Sequence, residues 1–443
     1  MAIIGKDFSP EKLGKDRIRS PKVLILAMVL VAILMVGATA GLIGQVGNSK
    51  EPLPSETPLR TSAGVVYTSH SPISILGNGD FTTANGVSGG TGTASDPYIM
   101  EGWDILASTA TGIRVSGTNM HFVIRNCYVH DGGSNWNGIY LDVCQNADLK
   151  GNTCIGNWDG IVFAASRGNT LTDNICSRNS FGIYVLSSSK LTLTNNTCSN
   201  NGDGMYLYSS SNNTLAKNHC SSNTYEGINL FSSSNNTLSD NNCSSITDGD
   251  GIWLDSSSNN TLSNNKCSNN AQYGLYLYSS SNNTLVNNIC TLTSNDGIAL
   301  FSSSNNNTVI WNQICNNIGF GVSIYSGSNN RVWNNTFIGN NGAGSTYSSG
   351  HIQAYDDGTN NRWNTSGTPH GYGNYWNDWT TPDANQDGIV DQPYAIDGSA
   401  GAKDYYPQTT VPVPIPEFGT MPFVVMVFLA AIVLTIGTRR RKA

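Results

Sequence analysis

GMYLYSSSNNTLAKNHC (204–220), GINLFSSSNNTLSDNNC (227–243) and GIWLDSSSNNTLSNNKC (251–267) are three successive copies of one unit. Two further full copies begin at Gly182 and Gly274. Weaker ones begin at Gly138, Gly160, Gly297 and Gly321, and a degenerate one at Gly112, so the period is 22 to 24 residues. After each glycine the first and third residues are apolar, as in Ile183 and Val185 or Ile252 and Leu254. Alternation with period two over four or five residues predicts a short strand with one face inward. A second strand carries a single inward leucine eleven residues after the glycine, from Leu149 to Leu285. SSSNN and the later Asn-Asn pairs read as turns, because Asn tolerates left-handed backbone angles and Ser and Asn bond their own backbone.

One such unit cannot bury its apolar face alone, so successive units must stack in register. The expected fold is all-β, a right-handed parallel β-helix of about ten rungs, roughly 50 Å long at about 4.8 Å per strand. Stacking turns repeat positions into columns. Eight cysteines, Cys154, Cys176, Cys198, Cys220, Cys243, Cys267, Cys290 and Cys315, fall on one column that Phe337 continues, while Cys127 and Cys144 lie off it. They read as an inward row of small apolar side chains whose parallel Cβ vectors disfavour disulfides. Asn152, Asn174, Asn196, Asn218, Asn241, Asn265 and Asn288 stand two residues before a cysteine and predict a stacked amide ladder.

Charge is unevenly placed. Between residues 41 and 420 there are 13 basic against 27 acidic residues, a net of −14. Such a body is a poor partner for nucleic acid, which needs basic patches, and suits cations or neutral and amino sugars. Residues 23–47 carry no charge and follow Lys12, Lys15, Arg17, Arg19 and Lys22, the layout of a signal peptide or signal anchor. Residues 421–438 form a second apolar run ending in Arg439, Arg440, Arg441 and Lys442. Both basic flanks belong on the cytoplasmic side, so the body is expected on the extracellular face of a membrane. The segments divide as 1–47 signal, 48–69 linker, 70–111 N-terminal cap and entry strand, and 112–345 repeats. There follow 346–407 as C-terminal cap, 408–420 as Pro-rich spacer, and 421–443 as transmembrane or sorting helix.

Chemistry has several candidate positions. Outward residues two and four places after the glycine include Tyr140, Tyr184, Tyr206, Trp253 and Tyr276 in one row, and Tyr208, Phe231, Tyr278, Phe301 and Tyr325 in the other. Two aromatic columns on an exposed face suit sugar stacking, or else they stiffen the sheet. The substrate-binding residues expected are Tyr206, Tyr208, Phe231, Trp253, Tyr276 and Tyr278. Asp159, Asp203, Glu226, Asp250 and Asp296 each precede a repeat glycine and read as solvated turn carboxylates. Asp203, Glu226 and Asp250, on consecutive rungs, are the only weak catalytic candidates, for general acid/base work on a polysaccharide. No Lys or Arg recurs beside them as a polyuronate-acting enzyme would want. Asp383, Asn385, Asp387, Ile389 (through its carbonyl) and Asp391 have the spacing of a Ca²⁺ loop of the Asp-x-Asn-x-Asp-Gly type. Tyr394 stands where such a loop normally places its closing Glu, so a plain turn is the other reading. Asn212, Asn235, Asn259, Asn282, Asn306 and Asn334 are N-glycosylation acceptors by pattern.

Ile73-Ser-Ile75, Asp80-Phe81 and the run Asp96-Pro-Tyr-Ile-Met-Glu-Gly-Trp103 precede the repeats. Gly373-Asn-Tyr-Trp-Asn-Asp378 and Asp391-Gln-Pro-Tyr394 follow them. Together with the repeats they resemble NosD-like, pectate-lyase-like repeat proteins over about residues 70–407. That resemblance implies the β-helix. Its namesake's copper-assembly role does not carry over, because no Met, His or exposed Cys cluster is visible to hold copper. Pro416-Glu417-Phe418, then an apolar helix and an Arg-rich end, resembles archaeal sorting signals cut by exosortase-like transpeptidases, which implies such a processing enzyme as a partner. The leading expectation is a non-catalytic, membrane-anchored surface protein binding glycan or cell envelope. The alternatives are a polysaccharide lyase, hydrolase or epimerase, and a copper-assembly accessory.

Overall fold

Three strands and three corners make up each rung of the chain in its computed structural model, which describes residues 67–366 and 371–412. The long sheet has 12 parallel strands among the described residues, from Ile73–Ile75 through Phe181–Leu186 and Ile252–Asp255 to Ala354–Asp356. A second sheet of 11 strands runs from Tyr98–Glu101 to Arg331–Trp333. The third face is a 6-stranded sheet ending at Thr197–Cys198 and a 5-stranded one starting at Lys266–Ser268. Single bridges at His219 and Asn242 carry the stack across the gap between them. The parallel β-helix is therefore present, and the coil starts earlier than the repeats do. Ile73–Ile75 already pairs with Ile113–Thr118, so part of the expected N-terminal cap is itself a rung.

The interior follows from the alternation. Ile228, Leu230, Ile252 and Leu254 of the long sheet, Leu215 and Leu238 of the second, and Cys220 and Cys243 of the third are all 0 % exposed. The repeat glycine is dictated by a close approach. A Cβ on Gly182 would stand 2.5 Å from the Gly204 carbonyl oxygen and 2.9 Å from Cys198 Cβ.

Corners carry the specificity. Asn152 to Asn288 form the predicted ladder, which Asn312 and Asn335 extend, each Nδ2 donating to Oδ1 of the next rung's amide at 2.9 or 3.0 Å. The same Nδ2 atoms also donate to a strand carbonyl one rung back, as Asn241 does to Leu215 O at 2.9 Å. Two more asparagine ladders, through Asn213 and Asn236 and through Asn179 and Asn201, line the other corners. A buried serine row, Ser188 to Ser304, accepts the backbone N–H of the preceding rung at 2.8 to 3.0 Å. Turning inward at every corner strands backbone groups in an apolar core, and these side chains supply the partners. The outer turn residues sit left-handed as expected, Asn212, Asn235, Asn259 and Asn282 at φ 58–61°.

One expectation changes on the third face. Cys290 pairs with Ile314, and Cys315 pairs with Thr291, so Cys315 leaves the thiol row and Ile314 takes the inward place. The step from Cys290 to Cys315 is 25 residues, longer than the others, and the larger Ile fills the column ahead of Phe337. All ten cysteines are free and buried. Burial holds the Cys198, Cys243 and Cys290 thiols well above their ordinary value. Beyond the last rung Trp376 stacks between Phe337 (4.1 Å) and Tyr394 (4.0 Å) and closes the open end of the core. Tyr394 is therefore a plug, with its hydroxyl accepting the Gln353 N–H.

The apolar segments 23–47 and 421–438 and the motif Pro416, Glu417, Phe418 lie outside the described residues. Among the described residues no helix is long and apolar enough to cross a membrane.

Candidate functional site on the long sheet

Register places the outward aromatics in two adjacent columns. Tyr184 pairs with Tyr206 and Trp253 with Tyr276 in the first, while Tyr208 pairs with Phe231 and Tyr278 with Phe301 in the second. Parallel in-register strands bring like side chains into contact. Tyr208 and Phe231 lie 5.3 Å apart at 5°, Tyr184 and Tyr206 5.5 Å at 10°, and Trp253 and Tyr276 5.9 Å at 19°. The rings are half-buried, and Tyr206 is only 9 % exposed because Phe181 leans on it at 5.1 Å. The face is thus less open than expected: its rings partly cover one another.

Asn229 and Asp255 interrupt the columns. Asn229 pairs with both Tyr206 and Trp253, which makes a notch in the first column. Its Oδ1 and the neighbouring Trp253 Nε1 are buried and have no hydrogen-bond partner among the described residues. Asp255 sits between Phe231 and Tyr278 in the second column, and burial raises its pKa. Repeat comparison could have flagged it, since in the units from Gly182 to Gly321 the fourth residue after the glycine is otherwise Leu, Tyr or Phe, and Asp recurs there only at Asp142 of the earlier Gly138 unit.

The turn carboxylates are not solvated. Asp159, Asp203, Asp250 and Asp296 are 4–7 % exposed, while Glu226 is half-buried. At Asp159, Asp250 and Asp296 the corner leaves a backbone N–H of the next rung without a strand partner, and the carboxylate accepts it. Asp250 Oδ1 takes the Tyr273 N–H at 2.8 Å and Asp159 Oδ1 that of Phe181 at 3.3 Å. Asp296 accepts the Phe320 N–H at 2.7 Å and the Ser323 hydroxyl at 2.6 Å. Burial lifts Asp159 to about 7 and Asp296 to about 6. Folded Asp159 keeps its proton to about pH 7, whereas an exposed aspartate loses it near 4. Its contribution to stability is therefore full below about pH 4 and is lost as pH rises through about 7. The melting temperature of wild type should fall between pH 5 and pH 8, and Asp159→Asn should fall less; equal falls would remove this assignment.

The Asp383 loop closes on itself. Asp383 accepts the N–H groups of Asp387 (3.2 Å) and Gly388 (3.1 Å), and Asp391 that of Ala384 (2.9 Å). Asn385 Nδ2 donates to Asp387 at 3.0 Å, and Ile389 N–H to Asp387 at 2.9 Å. Nowhere among the described residues do three or more His, Cys, Asp or Glu stand grouped to hold a metal ion. Copper in particular has no fitting donor set among the described residues: the thiols are sealed in the core, and Met100 and Met205 are 0 % exposed. Of the glycosylation positions, Asn212, Asn235, Asn259, Asn282 and Asn306 are exposed. Asn334 is 9 % exposed and its Oδ1 accepts Gln408 Nε2 at 2.8 Å, which takes it out of reach of a glycan.

A family profile described as "Periplasmic copper-binding protein (NosD)" matches residues 84–249 and again 225–381. Among solved structures the chain is similar to the A-module of mannuronan C-5 epimerase AlgE6 of Azotobacter vinelandii, at 18 % identity over 71 % of this chain and 89 % of that one, TM-score 0.47. It is similar to the periplasmic alginate epimerase AlgG at 14 % identity over 59 % and 84 %, TM-score 0.41. It is also similar to the Dettilon tailspike protein gp208 at 15 % over 60 % and 65 %, TM-score 0.45. These likenesses are too distant to carry chemistry. A search of curated proteins finds no match.

Proposed function

The chain belongs to the NosD family of parallel β-helix proteins, and from that premise we propose that it is a non-catalytic extracytoplasmic scaffold whose long sheet binds glycan. The stacked rings of the two outward columns support this reading, above all Tyr208 on Phe231 and Trp253 on Tyr276. Flat half-exposed rings one rung apart offer apolar faces to the C–H surfaces of successive sugars. The Asn229 notch, with two buried polar atoms that lack partners, suits a hydroxyl or amino group lowered between the rings. Asp255 and the acidic body favour neutral or amino sugars over polyuronates. A glycan array probed with the purified chain tests the reading; binding by none of the neutral or amino glycans would end it.

A hydrolase, lyase or epimerase is the second reading, and Asp255 is what favours it, as a carboxyl held among the rings with a raised pKa. Asp203, Glu226 and Asp250 serve it less well, since Asp203 and Asp250 are nearly sealed. Release of reducing ends or unsaturated products, lost in Asp255→Asn, would establish it. Location outside the cytoplasm draws support from the basic-flanked apolar runs and from the family's periplasmic description. Anchoring to a membrane through 421–443, with or without cleavage after recognition of Pro416-Glu417-Phe418, is part of the same proposal. The Asp383 loop is offered as a structural Ca²⁺ site on its spacing, which requires its carboxylates to leave their backbone N–H groups. Adding EGTA should then lower the melting temperature, and an unchanged value would make the loop a plain turn.

A further inference from the structure

We propose that the C-terminal end of the second sheet is a binding site for an oxyanion carried on a hydroxyl-rich molecule, an acidic sugar, with Arg331 and Arg362 as its anion fork. The first residue of the second strand is threonine in every rung from Thr170 to Thr308. The next two rungs place Arg331 and then Arg362 there, bridged in parallel register. Two cations thus lie one rung apart, about 4.8 Å between strands, in a body that is otherwise acidic. Neither makes an ion pair among the described residues.

Like charges stacked on adjacent strands repel, and charged residues also protect sheet edges from other chains. Edge protection alone explains one arginine. It does not explain why both line a single cleft of about 650 Å³ whose other walls are Asn306, Thr308, Asn329, Asn360 and Asn361, without a carboxylate. Asn306, Asn329 and Asn360 share the left-handed φ of 56°, so their exposed turns repeat along the rim. Behind the wall the buried Asp356 is already engaged by Asn361 Nδ2 and Trp363 Nε1.

Two planar guanidiniums match the geometry of a carboxylate or sulfate and neutralise each other's repulsion through it. The cleft is of small-molecule size, larger than an inorganic ion requires, and its amides and hydroxyl suit a polyol. This site lies on a different sheet from the aromatic columns and does not depend on them.

Calorimetry on the full-length chain with sodium glucuronate, sodium sulfate and glucose separates the cases. Glucuronate should bind, more weakly as salt rises, and glucose should not. Arg331→Gln/Arg362→Gln should bind glucuronate at least tenfold more weakly with an unchanged or higher melting temperature, and Arg331→Lys/Arg362→Lys should fall between. Arg362→Gln alone, beyond the last strand of the sheet, should lose severalfold and serves if the double variant misfolds. Absence of glucuronate binding, binding that survives both glutamine variants, or binding of sulfate alone would each overturn the acidic-sugar site.

Discussion

Replacing Tyr206, Trp253 and Tyr276 together by alanine should reduce glycan binding about thirtyfold while the coil stays folded. Each open ring contact is worth on the order of 1 kcal/mol beyond simple burial, and the half-exposed Trp253 and Tyr276 supply two of them, Tyr206 being covered by Phe181. The rings lie outside the inward columns, which Ile228, Leu230, Ile252 and Leu254 fill completely. What the fold loses is ring packing on the outer face, the stacking of Tyr184 and Phe181 on Tyr206 and of Trp253 and Tyr273 on Tyr276 among it, roughly 1 kcal/mol for each contact. Binding measured on the array and melting followed by circular dichroism separate the two effects. Should the triple variant bind the same glycan as tightly as wild type, the columns serve only to stiffen the sheet.

Asn241→Ala should be among the most damaging single substitutions in the protein, costing about 3 kcal/mol or more of unfolding free energy. Asn241 Oδ1 accepts the Asn218 N–H and the Asn218 amide, both at 3.0 Å. Its Nδ2 donates to Leu215 O and to Asn265 Oδ1, both at 2.9 Å. Alanine leaves the Asn218 N–H and amide and the Leu215 carbonyl without these partners where no water reaches, at roughly 1–3 kcal/mol for each group orphaned. Rungs couple chiefly to their neighbours, so the defect should also broaden the urea transition. An unfolding free energy within about 1 kcal/mol of wild type would show that the ladder decorates the corners without holding them. The same substitution at half-buried Asn242, one residue on and outside the ladder, should cost less.

The two predictions draw on columns of different legibility. The inward leucines, the first amide ladder and the left-handed turns were readable because each answers to a constraint that recurs every rung, and a repeat prints a recurring constraint as identical letters. Columns that do not recur as identical letters were harder. The acids before Gly160, Gly251 and Gly297 read as surface charge, since nothing in their spacing reveals that the corner leaves an N–H for them to accept. Cys315 looked like the eighth thiol because cysteine recurs, although the 25-residue step already signalled a slip.

What the sequence determined by itself is the coil: periodic alternation, turn residues and a glycine at the tightest approach admit no other way to bury the apolar face. Only the tertiary structure decided which polar groups are sealed and which are open. It buried the aspartates, half-covered the aromatic rings and gathered Arg331 and Arg362 on one wall. Burial depends on what the adjoining rungs place over a side chain, and that neighbour lies more than twenty residues away along the chain.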